Sequence, residues 1–261
     1  GHAERIALKE GSAQRTVGYD VSPKSLEIAR AEAAADGLAD CVEYEIRDLN
    51  SDSLPRSEFD AAISFGCLHH IENLDWLYAE GAASLRPGGV FYLNEYAGPN
   101  RFQYSDALIR EVNKVIRTLP DAAVQTQELR RISPEAIIET DPSEAIRAID
   151  VDAKLHDSFD VIDGRGYGGG LLYTLWAQVI DPAYFMQLHD PKVLELLDWL
   201  CQLDFELTAS GTIENLFISH VLCPKGQQGD RYATSDPQAA MKAHSDFVEA
   251  QIAALGDPHA V

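Results

Sequence analysis

Between Thr16 and Tyr96 the apolar positions switch back and forth between two periods. Thr16–Asp20 is a short, mostly apolar run that ends on a carboxylate. From Pro23 the period lengthens, and Leu26, Ala29 and Ala33 recur at helical spacing. Ser22 suits the N-cap of that helix, Pro23 its first position and Gly37 its close. His2 to Glu10 reads as a helix with Ala3, Ile6 and Ala7 on its apolar side. Cys41 to Ile46 alternates with period two and predicts a strand. Phe59 to Phe65 is mostly apolar, which predicts a strand buried on both faces. Asn73 or Asp75 can cap a helix running to Leu85, with Trp76, Leu77 and Ala83 turned inward. Arg86 to Gly89 reads as a turn, and Val90 to Tyr96 as a fourth strand. Strands alternating with helices imply an α/β sheet that is mostly parallel.

Beyond Tyr96 the pattern loosens. Ala97 to Tyr104 is rich in turn formers, and a helix from Ala107 to Leu119 carries Leu108, Val112, Val115 and Ile116 on one face. Short helices are expected at Pro134–Glu139 and Ser143–Asp150, a strand at Phe159–Asp163 and helices at Leu171–Ile180 and Pro191–Leu203. Asn215 to Cys223 alternates as a closing, antiparallel strand. Gly226 to Asp236 reads as a linker, and Met241, His244, Phe247, Val248, Ile252 and Leu255 form one stripe on a terminal helix. The expected organisation is therefore a regular α/β half over residues 1–96 and a helical insertion over 97–155. Residues 156–224 would complete the α/β core, and 225–261 would form the linker and terminal helix.

The formal net charge is −21, and the longest basic run is Arg130-Arg131. Repulsion of that size opposes binding to nucleic acid or an anionic membrane, both of them polyanions. The four cysteines are scattered, with no CxxC pair, which speaks against a disulfide framework or a cysteine-based metal site and for a reducing, cytoplasmic setting. No metal is expected. No apolar run reaches membrane-spanning length.

Candidate chemistry lies at the strand ends. Asp20 and Asp48 each follow a strand, where open α/β sheets bind ligands. Two carboxylates there can accept from a ribose and from an exocyclic amine, although either alone also suits a solvated turn. Four pieces then occur in order: YDVS, RDL, FDAAISFGCLHHI and LRPGGVFYLNEY. Together, over Gly1 to Tyr96, they resemble the class I S-adenosylmethionine-dependent methyltransferases, and EYAGPNRFQ just after resembles the wording of bacterial members. The resemblance implies a Rossmann-like sheet, mostly parallel with an antiparallel last strand, helices on both faces and a helical insertion over the site. It implies S-adenosylmethionine as cofactor, with S-adenosylhomocysteine as product. Asp20, with Val21 beside it, would hold the ribose, and Asp48 and Leu49 the adenine. Ser64, Phe65 and Gly66 would run beside the methionine part, and Gly1 would be the last glycine of the family's glycine-rich loop. The rest of that loop and the strand before it have no counterpart in this sequence. The expectation is a polypeptide that continues upstream of Gly1; the alternative is one that lacks the segment and does not bind the cofactor in the usual way.

For transfer itself, one of His69 and His70 is a candidate base and the other a structural residue of the turn. Glu95 is a further catalytic candidate. Tyr96, Arg101 and Tyr167 are candidate contacts to the acceptor. The expected activity is methyl transfer to a hydroxyl or amine of a small molecule. The alternative is a non-catalytic binding or scaffold protein of the same fold. A homodimer through the terminal helix or the insertion is a further expectation.

Overall fold

The computed structural model describes residues 1–227; the expected terminal helix, with its proposed dimer contact, lies outside the described residues. In chain order the elements are α1 (His2–Lys9), β1 (Thr16–Asp20), α2 (Pro23–Ala35), β2 (Val42–Ile46), β3 (Phe59–Phe65), α3 (Leu74–Ser84) and β4 (Leu85–Tyr96). Then come α4 (Asp106–Ile116), α5 (Pro134–Thr140), α6 (Asp150–Leu155), β5 (Phe159–Gly166), α7 (Gly170–Gln178), α8 (Pro182–Phe185), α9 (Pro191–Ala209) and β6 (Phe217–Pro224).

Strands β1 and β2 pair in parallel. The other four form a sheet in the order β3-β4-β6-β5, with β3 parallel to β4 and both β6 contacts antiparallel. The α/β architecture, with its antiparallel closing strand, matches the expectation. Among the described residues β1 and β3 each have a strand on one edge only. That explains one departure. β3 is not buried on both faces: Ile63 is 53% and Phe65 54% exposed, because β4 is its sole strand neighbour and no described element covers that side.

Helices pack on both faces of the four-stranded sheet because β6 alternates. Ile218 and Leu222 join Leu74, Tyr78, Phe91 and Phe159 in a core under α3 and α6. Phe217 instead packs against a second core built from Tyr96, Leu108, Val112, Leu171, Leu175 and Leu200. Each such side chain, fully buried, contributes about 1.5–3 kcal/mol. The second core draws α4 together with α7 and α9, so the helices between β5 and β6 pack with the insertion as one cap. Tyr78, fully buried, donates its hydroxyl to the Val151 carbonyl at 2.7 Å and ties α3 to α6.

Local signals hold where they rest on nearest neighbours. Ser22 accepts from the Ser25 amide at 3.2 Å, capping α2, with Pro23 just inside. Ser105 caps α4 by accepting from the Leu108 amide at 3.0 Å. The expected turn at Arg86–Gly89 lies within β4, where the register against β3 jumps from Phe59↔Leu85 to Ala61↔Val90. The expected helix at Ser143–Asp150 is instead a chain of turns, because Ala145 takes a left-handed φ of 47° that a helix does not accommodate. Helix α9 runs past the expected end to Ala209.

Candidate active site

Parallel registers bring the predicted residues to one end of the strands. Asp20 is level with Ile46, so Asp48 leaves β2 at the same end as Asp20 leaves β1. Phe65 is level with Asn94, so the Gly66–His70 turn and Glu95 leave β3 and β4 together. Asn50, two residues past Asp48, accepts from the amides of Glu72 and Asn73 just beyond the histidine turn, which joins the two groups of strand ends.

Asp20 Oδ1 accepts from the Ser22 amide at 2.8 Å, fixing the side chain at the head of α2. Val21, 63% exposed, follows it into the open. Asp48 Oδ1 accepts from the Asn50 amide at 2.9 Å, and Asn50 Oδ1 in turn accepts from the amides of Glu72 and Asn73. The Asp48-Leu49-Asn50 turn is thereby moored to the start of α3, and Leu49 packs on the core beneath it. Gly1 is pressed against α2: a Cβ there would lie 2.5 Å from that of Ala29, so no larger residue fits without displacement. Ser64 is buried, and its Oγ lies 3.3 Å from Cys67 Sγ. Gly66 donates its amide to the Asn94 carbonyl at 3.0 Å.

Glu95 is the anchor of the turn. It is 0% exposed, and its Oε2 accepts from the amides of Cys67 (2.8 Å) and Leu68 (2.7 Å). Its Oε1 accepts from the Tyr96 amide (2.9 Å) and lies 2.6 Å from His69 Nδ1. A group so enclosed does not reach an acceptor, which corrects its reading as a catalytic residue: it positions His69 and the turn. The His69 and His70 rings lie against one another, with centroids 4.2 Å apart and planes tilted by 38°. Both rings meet Glu144 of the insertion, which sequence reasoning missed; it is seventy-odd positions away and no spacing signals it.

Two acceptor candidates are otherwise engaged. Tyr96 is 3% exposed, and its hydroxyl donates to the Pro99 carbonyl at 3.1 Å, so it belongs to the core behind His69. Arg101 spends its guanidinium on the Glu144 carbonyl at 2.7 Å, and its amide donates to the Ala145 carbonyl at 2.9 Å. It holds the insertion rather than an anion. Tyr167 is 46% exposed and donates to Asn94 Oδ1 at 2.7 Å, beside the ends of β3 and β4.

Burial pushes the Cys67 thiol up to about 11; the Glu95 and Asp20 carboxylates add to the shift, and the hydrogen bond with Ser64 opposes it. A thiol raised that far stays protonated at neutral pH and is a poor nucleophile. Iodoacetamide at pH 8 is therefore expected to modify exposed Cys201 well before Cys67, with Cys67 reacting appreciably only as the pH nears 11. Peptide mapping of the alkylated protein measures this, and early labelling of Cys67 counts against the enclosed turn.

The family model described as "Methyltransferase domain" matches residues 1–91. A demethylmenaquinone methyltransferase of Tropheryma whipplei is 30% identical over 106 residues, 39% of this chain and 40% of that one. A ubiquinone biosynthesis O-methyltransferase of Sinorhizobium medicae is 31% identical over 124 residues, 46% of each. The chain thus spans less than half the length of these curated relatives. The crystal structure of geranyl diphosphate C-methyltransferase from Streptomyces coelicolor shares the fold, with a TM-score of 0.52 at 10% identity, over 85% of this chain and 69% of that one. Residues 1–91 thus match the methyltransferase domain family, and the chain as a whole has the fold of a structurally known S-adenosylmethionine-dependent methyltransferase.

Proposed function

We propose that this protein transfers the methyl group of S-adenosylmethionine to a hydroxyl or amine of a small molecule. The observation that carries the reading is the grouping of Asp20, Asp48 and the Glu95-anchored histidine turn at the same strand ends, within a matched methyltransferase domain. Asp20 has one carboxylate oxygen committed to the Ser22 amide, and the other takes a ribose hydroxyl. Asp48 and Leu49 serve the adenine, and Ser64 to Gly66 the methionine part, with Gly1 at the glycine-loop position.

Methyl transfer is an in-line displacement at a sulfonium carbon. The acceptor's lone pair forms the new bond as the carbon–sulfur bond breaks, leaving S-adenosylhomocysteine. Holding the two partners close and aligned supplies about 7–11 kcal/mol of the barrier. A hydroxyl acceptor must also lose its proton, and His69 with its Nδ1 held by Glu95 presents Nε2 for that purpose. His70 lies against it, and Tyr167 borders the opening. The O-methyltransferase name of one relative favours a hydroxyl.

Calorimetric titration of the full-length polypeptide with S-adenosylhomocysteine tests the reading. Binding in the micromolar range is expected. Asp20→Ala should weaken it roughly 10–100-fold, since a charge-assisted hydrogen bond contributes about 1.5–3 kcal/mol. No binding at hundreds of micromolar would favour the non-catalytic scaffold instead.

A further inference from the structure

The docked edge of the insertion brings three ligand atoms together. His69 Nε2 lies 3.4 Å from Glu144 Oε1, and His70 Nε2 lies 4.0 Å from Glu144 Oε2. One atom from each of the three side chains falls within 4.8 Å of the others.

The far sides of both rings are fixed, and this determines what the near sides present. Glu95 Oε1 is a carboxylate oxygen, so His69 must donate to it through Nδ1–H. Ser143 Oγ donates to Asp141 Oδ1 at 2.7 Å and therefore accepts from His70 Nδ1 at 3.1 Å. Each neutral imidazole then has a lone pair on Nε2, and both lone pairs face a carboxylate that only accepts. Three acceptors around one point repel unless a positive charge lies between them. Outer groups that hold Nδ1 and aim Nε2 inward are how metal-binding histidines are oriented.

Glu144 is brought there by construction. The Ile146 amide donates to the His69 carbonyl at 3.0 Å, and Arg101 grips the carbonyls of Glu144 and Ala145. Arg101, Phe102 and Ala145, three of the four non-glycine residues with left-handed φ among the described residues, lie in or beside this contact, and such conformations persist where the surroundings demand them.

We propose that His69 Nε2, His70 Nε2 and Glu144 bind one divalent transition-metal cation of the zinc type, leaving at least one coordination position open to an oxygen of the methyl acceptor. Two imidazoles and a carboxylate form the three-ligand set of open zinc sites, whereas magnesium and calcium take oxygen ligands. Ligands about 2.0–2.1 Å from a tetrahedral ion stand roughly 3.4 Å apart, the spacing already present between His69 and Glu144. The acceptor role rests on the methyltransferase reading, and the ion site does not. An oxygen bound in the open position is polarised by the ion, which then does what His69 alone would do as a base.

Equilibrium dialysis of the chelator-stripped full chain against Zn²⁺, followed by elemental analysis, tests the site, and Co²⁺ reports its geometry by visible absorption. One ion per chain at micromolar free Zn²⁺ is expected, with a four- or five-coordinate Co²⁺ spectrum. Glu144→Gln and His70→Ala alter partly exposed side chains, and each should weaken binding at least tenfold with the melting curve little changed. No ion retained at ten micromolar overturns the proposal, as does equal retention by the parent and both variants. Titration of the same samples with S-adenosylhomocysteine separates the two readings. Cofactor binding without the ion sinks the metal site alone, and the ion without cofactor binding sinks only the acceptor role.

Discussion

Glu95→Ala should lower the free energy of unfolding by about 4 kcal/mol. The carboxylate is fully buried and accepts from three backbone amides, those of Cys67, Leu68 and Tyr96, as well as from His69 Nδ1. Each buried donor left without a partner costs about 1–3 kcal/mol, and entry of water offsets part of the sum. For a chain of this size the melting temperature should fall by roughly 8–16 °C. Glu95→Gln separates packing from charge. Its remaining oxygen can still serve Cys67 and Leu68, but its NH₂ would face two donors, the Tyr96 amide and His69 Nδ1–H. A loss of about 2 kcal/mol is expected, because one side of the clamp survives. The same variant should drive the His69 proton to Nε2, which an imidazole nitrogen-15 spectrum reads directly. A melting temperature unmoved by the alanine variant would mean that the turn is held some other way.

Asp204→Ala should cost about 3 kcal/mol, although the residue is far from the proposed chemistry in sequence and role. Asp204, 3% exposed on α9, accepts from the amides of Gly169 (2.8 Å), Leu171 (2.8 Å) and Leu172 (3.2 Å) at the head of α7. A carboxylate there satisfies orphan donors and complements the helix dipole. The glycines make room for it: a Cβ on Gly168 would lie 2.5 Å from Asp204 Oδ2, and one on Gly169 2.6 Å from the Phe217 ring. This glycine cluster is therefore filled by a carboxylate of its own chain and is no cradle for a ligand phosphate. Asp204→Asn keeps an acceptor and should lose less than half as much. Urea denaturation of both variants checks the ordering, and equal losses would show that the space, rather than the hydrogen bonds, matters.

The sequence by itself determined what nearest neighbours decide. The Ser22–Pro23 start of α2, the period-two strands and the two acidic strand ends follow from local sterics and from burial of one face. Only the tertiary structure decided the rest. Whether Glu95 would be solvated or sealed depended on the turn folding back over β4, and whether β3 would be covered depended on which strands lie beside it. The meeting of His69 and His70 with Glu144, and of Asp204 with α7, required segments distant along the chain to be packed together. Hydrophobic periodicity says that a helix buries a face, but it does not say against which partner. Polar contacts of this kind are set by the packing of whole elements, to which no spacing along the chain corresponds.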